Sequence, residues 1–252
     1  MSFSIAVAGK GGTGKTTVAT LIIRYLRNHR FTPILAVDAD PNSNLGESLG
    51  LKVGLTVGSM IAQFNEEKIS LPPGITKEAY LDVRLNETLN ESNGLDLLTM
   101  GRGQGAECYC YPNLILRKFV GSLVNNYPYV VIDNEAGMEH LSRKTTDNID
   151  VLILVSNYTV KGLRAVVKIR ELIAELKLSI RRQLVLLSSV PEHPETVMID
   201  EMKQLDIIPD AFLPFDNLIQ QYDFKRKPLL DLPDESISVT TIDKLITELL
   251  RR

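Results

Sequence analysis

The sequence lacks several features that would point to particular classes of protein. No apolar stretch approaches the length of a membrane span, and residues 1–10 lack the charged-then-apolar order of a signal peptide. We therefore expect a cytoplasmic protein with no membrane partner. The net charge is only −3, which gives no overall electrostatic reason to expect a nucleic-acid partner. Tryptophan is absent, and only two cysteines are present.

The chain is long enough to bury one sizeable core. It has 252 residues, of which 44% are hydrophobic and 23% are charged, as in ordinary globular proteins. No internal repeat or low-complexity tract marks a boundary. We therefore predict a single domain over residues 1–252.

A glycine-rich loop follows the first apolar run. Residues 9–17 are Gly-Lys-Gly-Gly-Thr-Gly-Lys-Thr-Thr, which fits the phosphate-loop pattern G-x-x-x-x-G-K-[ST]. Glycine permits positive φ, so backbone N–H groups at the start of the next helix can surround a phosphate. Lys15 is expected to contact the β- and γ-phosphates, and the Thr16 hydroxyl to bind Mg²⁺. The predicted nucleotide-binding residues here are Gly9, Gly11, Gly12, Thr13, Gly14, Lys15, Thr16 and Thr17, whereas a glycine turn without a ligand is the alternative.

Apolar runs alternate with segments of helical period, a pattern typical of an α/β fold with a doubly wound, mostly parallel sheet. About seven strands are predicted: Phe3–Ala8, Ile34–Asp38, Leu95–Met100, Tyr129–Asp133, Val151–Ser156, Gln183–Ser188 and Ala211–Leu213. Helices are predicted at Thr16–Asn28, Asn113–Asn125, Gly162–Leu176, Val197–Leu205 and Val239–Leu250. The polar stretch from Gly54 to Asn93 has weak periodicity and is interpreted as a surface insertion.

Acidic residues follow two of the predicted strands, where ligands bind in such sheets. Asp38 and Asp40 are two residues apart, so both can face Mg²⁺ and an attacking water, although an Asx turn before Pro41 is the alternative. The apolar run that ends at Asp133 has the form of a Walker B element, which places Asp133 near Mg²⁺. Together these elements predict a Mg²⁺-dependent ATPase.

The additional lysine near the start of the loop, Lys10, indicates which class of P-loop ATPase this is. The loop resembles that of the deviant Walker A family, which includes the nitrogenase iron protein and the septum-positioning and partition ATPases. The resemblance implies a nucleotide-controlled homodimer in which Lys10 contacts the phosphates of the partner subunit. It also implies that Asp38 holds a metal-bound water and that Asp40 orients the hydrolytic water. A solvated loop lysine is the alternative for Lys10.

The same resemblance assigns further residues around the nucleotide. Gly137, in a segment similar to switch II, would present its N–H to the γ-phosphate. Ser188 stands where the family usually has an adenine-contacting asparagine, and it offers only one hydroxyl. Pro214 and Asp216 match a second base-flanking loop. ATP is the expected nucleotide, with GTP as the alternative.

The two cysteines form a C-x-C pair, Cys108 and Cys110. Thiolates two residues apart can bind one soft or borderline metal ion, yet a closed site usually has four ligands. An isologous dimer brings the pairs of both subunits together and so gives a four-sulfur site. The alternative is two reduced thiols without a ligand.

The segments Cys108–Cys110 and Ala136–Leu141, with Gly9–Thr17 and Asp38–Pro41, are similar to the carbon monoxide dehydrogenase accessory ATPases. The resemblance implies an ATP-dependent homodimer that binds Ni²⁺ between its subunits and delivers it to apo carbon monoxide dehydrogenase or acetyl-CoA synthase. Zn²⁺ fits four thiolates as well as nickel. His140 is either a transient ligand or a structural residue of its helix.

Two other functions fit parts of the pattern. The first is a positioning or partition ATPase without a metal, and such proteins often carry a membrane-binding helix. Asp243 and Glu248 on the predicted final helix disfavour anionic lipids, so we expect that helix to pack on the sheet. The second is an iron–sulfur cluster carrier, which needs other cysteine spacings than a single C-x-C.

Overall fold

The computed structural model of the protein describes residues 2–66, 74–102, 119–136, 148–193 and 195–251. Eight strands form one sheet, in the order β3-β4-β2-β5-β1-β6-β7-β8. The strands are β1 (Phe3–Gly9), β2 (Ile34–Asp38), β3 (Leu89–Asn90), β4 (Leu95–Thr99), β5 (Tyr129–Ala136), β6 (Asn148–Asn157), β7 (Ser179–Val190) and β8 (Ala211–Pro214). All pairings are parallel except the one between β3 and β4.

Helices cover both faces of this sheet. They are α1 (Lys15–Asn28), α2 (Leu45–Ser48), α3 (Val57–Glu66), α4 (Lys77–Asn86), α5 (described over 119–125), α6 (Val160–Glu175), α7 (Thr196–Gln204), α8 (Asn217–Phe224) and α9 (Ile237–Leu250). A short 3₁₀ turn at Leu229–Asp231 precedes α9. Within the described ranges, no helix has both the length and the apolar character needed to cross a bilayer.

The central strands are apolar at almost every position because each face packs under helices. In β1, Ile5 and Val7 point into one core with residues of α1 and α9, whereas Ala6 and Ala8 point into the other. The second core is completed by α3 to α7. This double coverage fixes the register of β1, and the register fixes the position of the loop that follows it.

The sheet agrees with the fold class predicted from the sequence, and every predicted strand is present. Among the described residues, one strand was missed: β3, a two-residue antiparallel edge strand. The described parts of the Gly54–Asn93 stretch, residues 54–66 and 74–93, contain more helix than the weak periodicity indicates. Met60 of α3 and Leu81 and Leu85 of α4 are each 1% exposed, so part of this stretch completes the core. That it is an insertion in a single domain stays a prediction.

The final helix packs as predicted. Most of its apolar side chains are buried against α1 and β8, with Ile242 and Ile246 both 0% exposed, whereas Ile237 at its start is 45% exposed. The hydroxyls of Tyr25 and Thr247 are 2.9 Å apart and link α1 to α9. The apolar stripe of α9 is therefore already covered by the protein itself.

Candidate nucleotide site

The glycine-rich loop connects β1 to α1 and adopts a conformation that requires glycine. Gly14 is the N-cap residue of α1 with φ of 89°, and Gly12 has φ of 77°. Both angles lie in the left-handed region, where a side chain is strained. The loop therefore ends at the N-terminus of a 14-residue helix, where backbone N–H groups and the helix dipole favour an anion.

Gly9 is required for a different reason. A Cβ atom at this position would lie 2.1 Å from the backbone oxygen of Val155 on β6. Because that neighbour is main chain, it cannot move aside as a flexible side chain would. The absence of a side chain lets the start of the loop lie against the neighbouring strand.

The two lysines of the loop have different surroundings. Lys15 is buried, at 7% exposed, and its Nζ lies 3.4 Å from the carbonyl oxygen of Lys10. The Thr13 hydroxyl donates to the same carbonyl at 2.8 Å. The side chain of Lys10, in contrast, is exposed. Lys15 is thus buried in the loop, whereas the side chain of Lys10 is accessible to solvent.

Thr16 and Asp133 form the centre of the polar site. The Thr16 hydroxyl donates to Asp133 Oδ2 at 2.6 Å, while Asp133 Oδ1 is buried and has no partner among the described residues. Burial raises the pKa of Asp133 to about 6, against the lowering effects of Thr16 and of the Lys15 charge. A hydroxyl beside a buried carboxylate oxygen without a donor is an oxygen-rich arrangement that suits Mg²⁺.

Asp38 lies beside Asp133, since the two residues are paired across β2 and β5. It is fully buried, and its carboxylate accepts from the backbone N–H groups of Asp40 at 3.1 Å and Leu45 at 2.9 Å. Burial raises the pKa of Asp38 to about 7, and the Asp133 charge adds to the effect. Two adjacent buried carboxylates form a site whose electrostatic potential favours a cation.

Asp40 begins the loop after β2. Its Oδ1 accepts from the N–H of Asn42 at 2.8 Å, which is the Asx turn considered as an alternative. Asp40 also lines a cavity of about 550 Å³ together with Lys15, Thr16 and Glu135. Asp40 therefore forms the Asx turn and also borders the cavity beside the phosphate loop.

A second cavity, of about 630 Å³, extends from the phosphate loop toward the loop after β8. Gly12, Thr13 and Gly14 line one part, and Leu213, Pro214 and Phe215 line another. Ser188 and Asn157, at the ends of neighbouring strands, also line it. Of the predicted nucleotide-binding residues, those that line this one cavity are Gly12, Thr13, Gly14, Thr16, Thr17, Ser188, Pro214 and Asp216.

The side chains of Ser188 and Asp216 both form hydrogen bonds with other residues of the chain. Ser188 Oγ lies 2.9 Å from the carbonyl oxygen of Thr13. Burial raises the pKa of Asp216, but hydrogen bonds from Ser236, Ser238 and Leu218 outweigh that effect and lower it overall. The carboxylate of Asp216 therefore joins the start of α8 to the start of α9, and a role for it in nucleotide binding stays a prediction.

Several predicted residues lie outside the described ranges: Gly137, Cys108, Cys110 and His140. Among the residues that the structure describes, no group of three or more His, Cys, Asp or Glu is arranged to hold a metal ion. The cysteine site and the γ-phosphate contact of Gly137 therefore stay predictions.

Asn157, which lines the cavity of about 630 Å³, was not predicted from the sequence. It ends β6, two residues before the N-cap Thr159 of α6. A polar residue at the carboxyl end of a buried parallel strand is the signal that could have identified it.

A mostly parallel sheet with a phosphate loop after β1, and with carboxylates at the end of β2 and within β5, defines a P-loop nucleoside triphosphatase. Residues 4–229 match the model of the CobQ/CobB/MinD/ParA nucleotide binding domain, and the chain belongs to this family of ATPases.

Relatives and solved structures agree with that assignment. An ATP-binding protein of Methanocaldococcus jannaschii, itself uncharacterised, is 38% identical over 250 residues, which is 98% of each chain. The carbon monoxide dehydrogenase accessory protein CooC of Rhodospirillum rubrum is 27% identical over 232 residues, 87% of this chain and 86% of that one. The septum site-determining protein MinD of Pyrococcus horikoshii, solved with Mg-ADP, superposes with a TM-score of 0.67 at 21% identity, over 99% of this chain and 96% of that chain.

Proposed function

We propose that the protein is a Mg²⁺-dependent ATPase in which Thr16 and Asp133 hold the metal ion. The observation that supports this is the buried Oδ1 of Asp133, which has no donor in the described part of the chain, while Oδ2 accepts from the Thr16 hydroxyl. A magnesium ion bound there would neutralise charge on the β- and γ-phosphates. Lys15 is held beside the loop and would add positive charge to the same oxygens.

The two other acidic residues would act on water. Asp38 is fixed by two backbone N–H groups, so its remaining lone pairs can position a water near the metal site. Asp40 borders the cavity of about 550 Å³ beside the phosphate loop and would orient the attacking water. We assign these two roles from the burial of the side chains. Asp38 is fully buried beside the metal site, whereas Asp40 is half-buried and borders the cavity.

We further propose that ATP hydrolysis drives the insertion of Ni²⁺ into the nickel–iron–sulfur cluster of carbon monoxide dehydrogenase, or into acetyl-CoA synthase. The observation that carries this proposal is the similarity to CooC along 87% of this chain, in a sequence that also contains the C-x-C pair. Nickel is cargo here, and the apo-enzyme is the client.

A homodimer connects the two halves of the proposal. The side chain of Lys10 is exposed, as contact with the phosphates of a partner subunit would require. Cys108 and Cys110 provide two thiolates, so four-sulfur coordination needs both subunits. Nucleotide-dependent dimerisation would therefore change how the metal is held.

An anaerobic titration of metal-free protein with Ni²⁺ tests the metal site. We expect thiolate charge-transfer bands that saturate at one nickel per two chains, with dimer formation in size exclusion. The double variant Cys108→Ala/Cys110→Ala is the control and should lose both signals while it retains ATP binding. Wild-type protein without cysteine-dependent binding would refute the metal proposal and leave the ATPase intact. The same titration with Zn²⁺ compares the two metals.

A second candidate function is that of a positioning ATPase, which the superposition on MinD favours. The packing of α9 argues against a version that attaches to membranes through this helix, because its apolar face is buried on α1. A nickel affinity that is equal in the apo, ADP and ATP-analogue states would favour this candidate, because nucleotide would then have no effect on the metal.

A further inference from the structure

The interaction between Ser188 and Asn157 bears on which base the nucleotide carries. Asn157 and Ser188 are paired in register at the carboxyl ends of β6 and β7. Ser188 Oγ lies 2.9 Å from the carbonyl oxygen of Thr13, 3.0 Å from Asn157 Oδ1 and 3.3 Å from the carbonyl oxygen of Ser156. A serine hydroxyl has one proton, so it can donate fully to only one of these oxygens, and the Thr13 carbonyl is the nearest.

One arrangement gives a hydrogen-bond partner to the Asn157 carboxamide, the Ser188 hydroxyl and the Thr13 carbonyl together. If the carboxamide of Asn157 turns by 180° about its last bond, its nitrogen donates to Ser188 Oγ, and Ser188 donates to the Thr13 carbonyl. The two orientations have nearly the same shape, and the hydrogen-bond network selects between them. In the selected orientation, the amide oxygen and the second N–H of Asn157 remain available to a ligand.

The backbone of Asn157 is held rigidly. Its carbonyl oxygen accepts from the Thr159 N–H at 2.8 Å and from the Ser156 hydroxyl at 3.1 Å. Thr159 in turn caps α6 by accepting from the Gly162 N–H at 3.0 Å. A carboxamide on such a support can hold one orientation toward the cavity without a large loss of entropy on binding.

We propose that Asn157, positioned by Ser188, is the residue that selects adenine in this protein. An amide oxygen beside an amide N–H matches the N6 amino group and N7 of adenine, the bidentate pattern by which asparagine recognises that base. Guanine presents acceptors at both O6 and N7, so the amide oxygen would face another acceptor. Leu213, Pro214 and Phe215 line the same cavity with apolar surface that a purine ring could contact. The cavity therefore takes an adenine nucleotide.

This inference rests on nucleotide binding at the phosphate loop and does not require nickel. The experiment uses the whole chain, free of nickel and zinc, in a buffer that contains Mg²⁺, and measures the dissociation constants of ADP, GDP and inorganic tripolyphosphate by calorimetry. Wild-type protein is expected to bind ADP about 10- to 100-fold more tightly than GDP, the discrimination that a bidentate contact provides. Asn157→Ala should bring this ratio close to one and leave the affinity for tripolyphosphate unchanged.

Three further variants sharpen the test. Asn157→Asp lacks the donor for N7 and should lower the ratio and strengthen GDP binding, because a carboxylate accepts from the N1 and N2 groups of guanine. Ser188→Ala should reduce the ratio, whereas Ser188→Thr keeps the hydroxyl and should restore it. Gln221→Ala is the matched control, since Gln221 is an exposed carboxamide on α8 that does not line the cavity; its ratio should equal that of the wild type.

Two results would overturn the inference. One is an unchanged ratio in Asn157→Ala, or in Asn157→Asp if the alanine variant does not fold. The other is an equal loss of affinity for ADP and for tripolyphosphate, which would mean that Asn157 supports the phosphate loop instead. Neither result affects the nickel proposal, and a failed nickel titration would leave the ADP to GDP ratio unchanged.

Discussion

Thr16 and Asp133 are separated by 117 residues in sequence, yet the hydroxyl of one donates to the carboxylate of the other at 2.6 Å. The contact joins the first turn of α1 to β5 and leaves one buried oxygen of Asp133 without a donor. It is the place in the described structure where the phosphate loop and the predicted Walker B element meet.

Removing the Thr16 hydroxyl should therefore abolish most hydrolysis. We expect Thr16→Ala to lower kcat by roughly 10²-fold, the typical cost of losing one preorganised group that stabilises developing charge. The Mg²⁺ concentration for half-maximal activity should rise in parallel. Thr16→Ser keeps the hydroxyl and is the control. An unchanged Mg²⁺ dependence in the alanine variant would remove Thr16 from the metal site.

Two glycines of the loop should differ in their tolerance of alanine. Gly9→Ala places a methyl group 2.1 Å from the Val155 carbonyl and should lower the free energy of unfolding by roughly 3 kcal/mol. A Cβ atom at Gly12 would meet no atom within 4 Å, so Gly12→Ala carries only the strain of positive φ, about 1 kcal/mol. Urea unfolding of nucleotide-free protein measures both. Equal losses would contradict the close approach of β1 and β6.

The sequence predicted the central strands well because their pattern is local. Each is a short, nearly continuous run of apolar residues, and burial on both faces is what selects such runs. The helices α2, α3, α4 and α8 were not predicted. At four residues, α2 is too short to show a period, while α3 and α4 lie in a polar stretch in which single residues such as Met60 and Leu81 carry the packing. Tertiary contact stabilises these helices more than their own propensity does.

The site could be predicted only where a motif spans a few residues. The loop from Gly9 to Thr17 is continuous in sequence, and its shape follows from its composition. The contact of Ser188 with Thr13, by comparison, joins residues 175 apart. The residues next to Ser188 in sequence do not indicate that its hydroxyl forms a hydrogen bond with Thr13. The effect of this hydrogen bond on the orientation of Asn157 can therefore be seen only in the folded chain.

The two buried carboxylates should make the stability of nucleotide- and Mg²⁺-free protein depend on pH. The pKa of Asp38 is raised to about 7 and that of Asp133 to about 6, both above their values in an unfolded chain. Between about pH 4 and 7 the folded state binds more protons than the unfolded state, so the free energy of unfolding should fall as pH rises.

Asp38→Asn tests this attribution, since its side chain has no charge to bury. We expect a smaller pH slope in the variant when urea unfolding is followed from pH 5 to 7.5. Saturating Mg²⁺ and ADP should also reduce the slope in wild-type protein, because a bound cation stabilises the ionised carboxylates. An identical slope in Asp38→Asn and wild type would assign the dependence to other groups.

The burial of α9 predicts how mutations there will act. Ile242→Ala should lower the free energy of unfolding by roughly 2–5 kcal/mol, because the side chain is fully buried between α9 and α1. Glu248→Ala, on the exposed side of the same helix, should change it little.

Wild-type protein should not co-sediment with anionic vesicles in either nucleotide state. Vesicle binding that depends on ATP and is lost in Ile242→Ala would mean that α9 leaves the core.

Lys10 gives the sharpest test of the proposed dimer, because two inactive proteins should regain activity when mixed. Lys15→Ala disables its own site, whereas Lys10→Ala would disable the site of its partner. In a mixed dimer, the Lys10→Ala subunit keeps its own Lys15 and receives Lys10 from the other chain, so one site is complete. With random pairing at equal amounts, hydrolysis should recover to about a quarter of the wild-type rate per subunit. If Lys10 acts within its own subunit, every site lacks one lysine, and the mixture stays as inactive as its components.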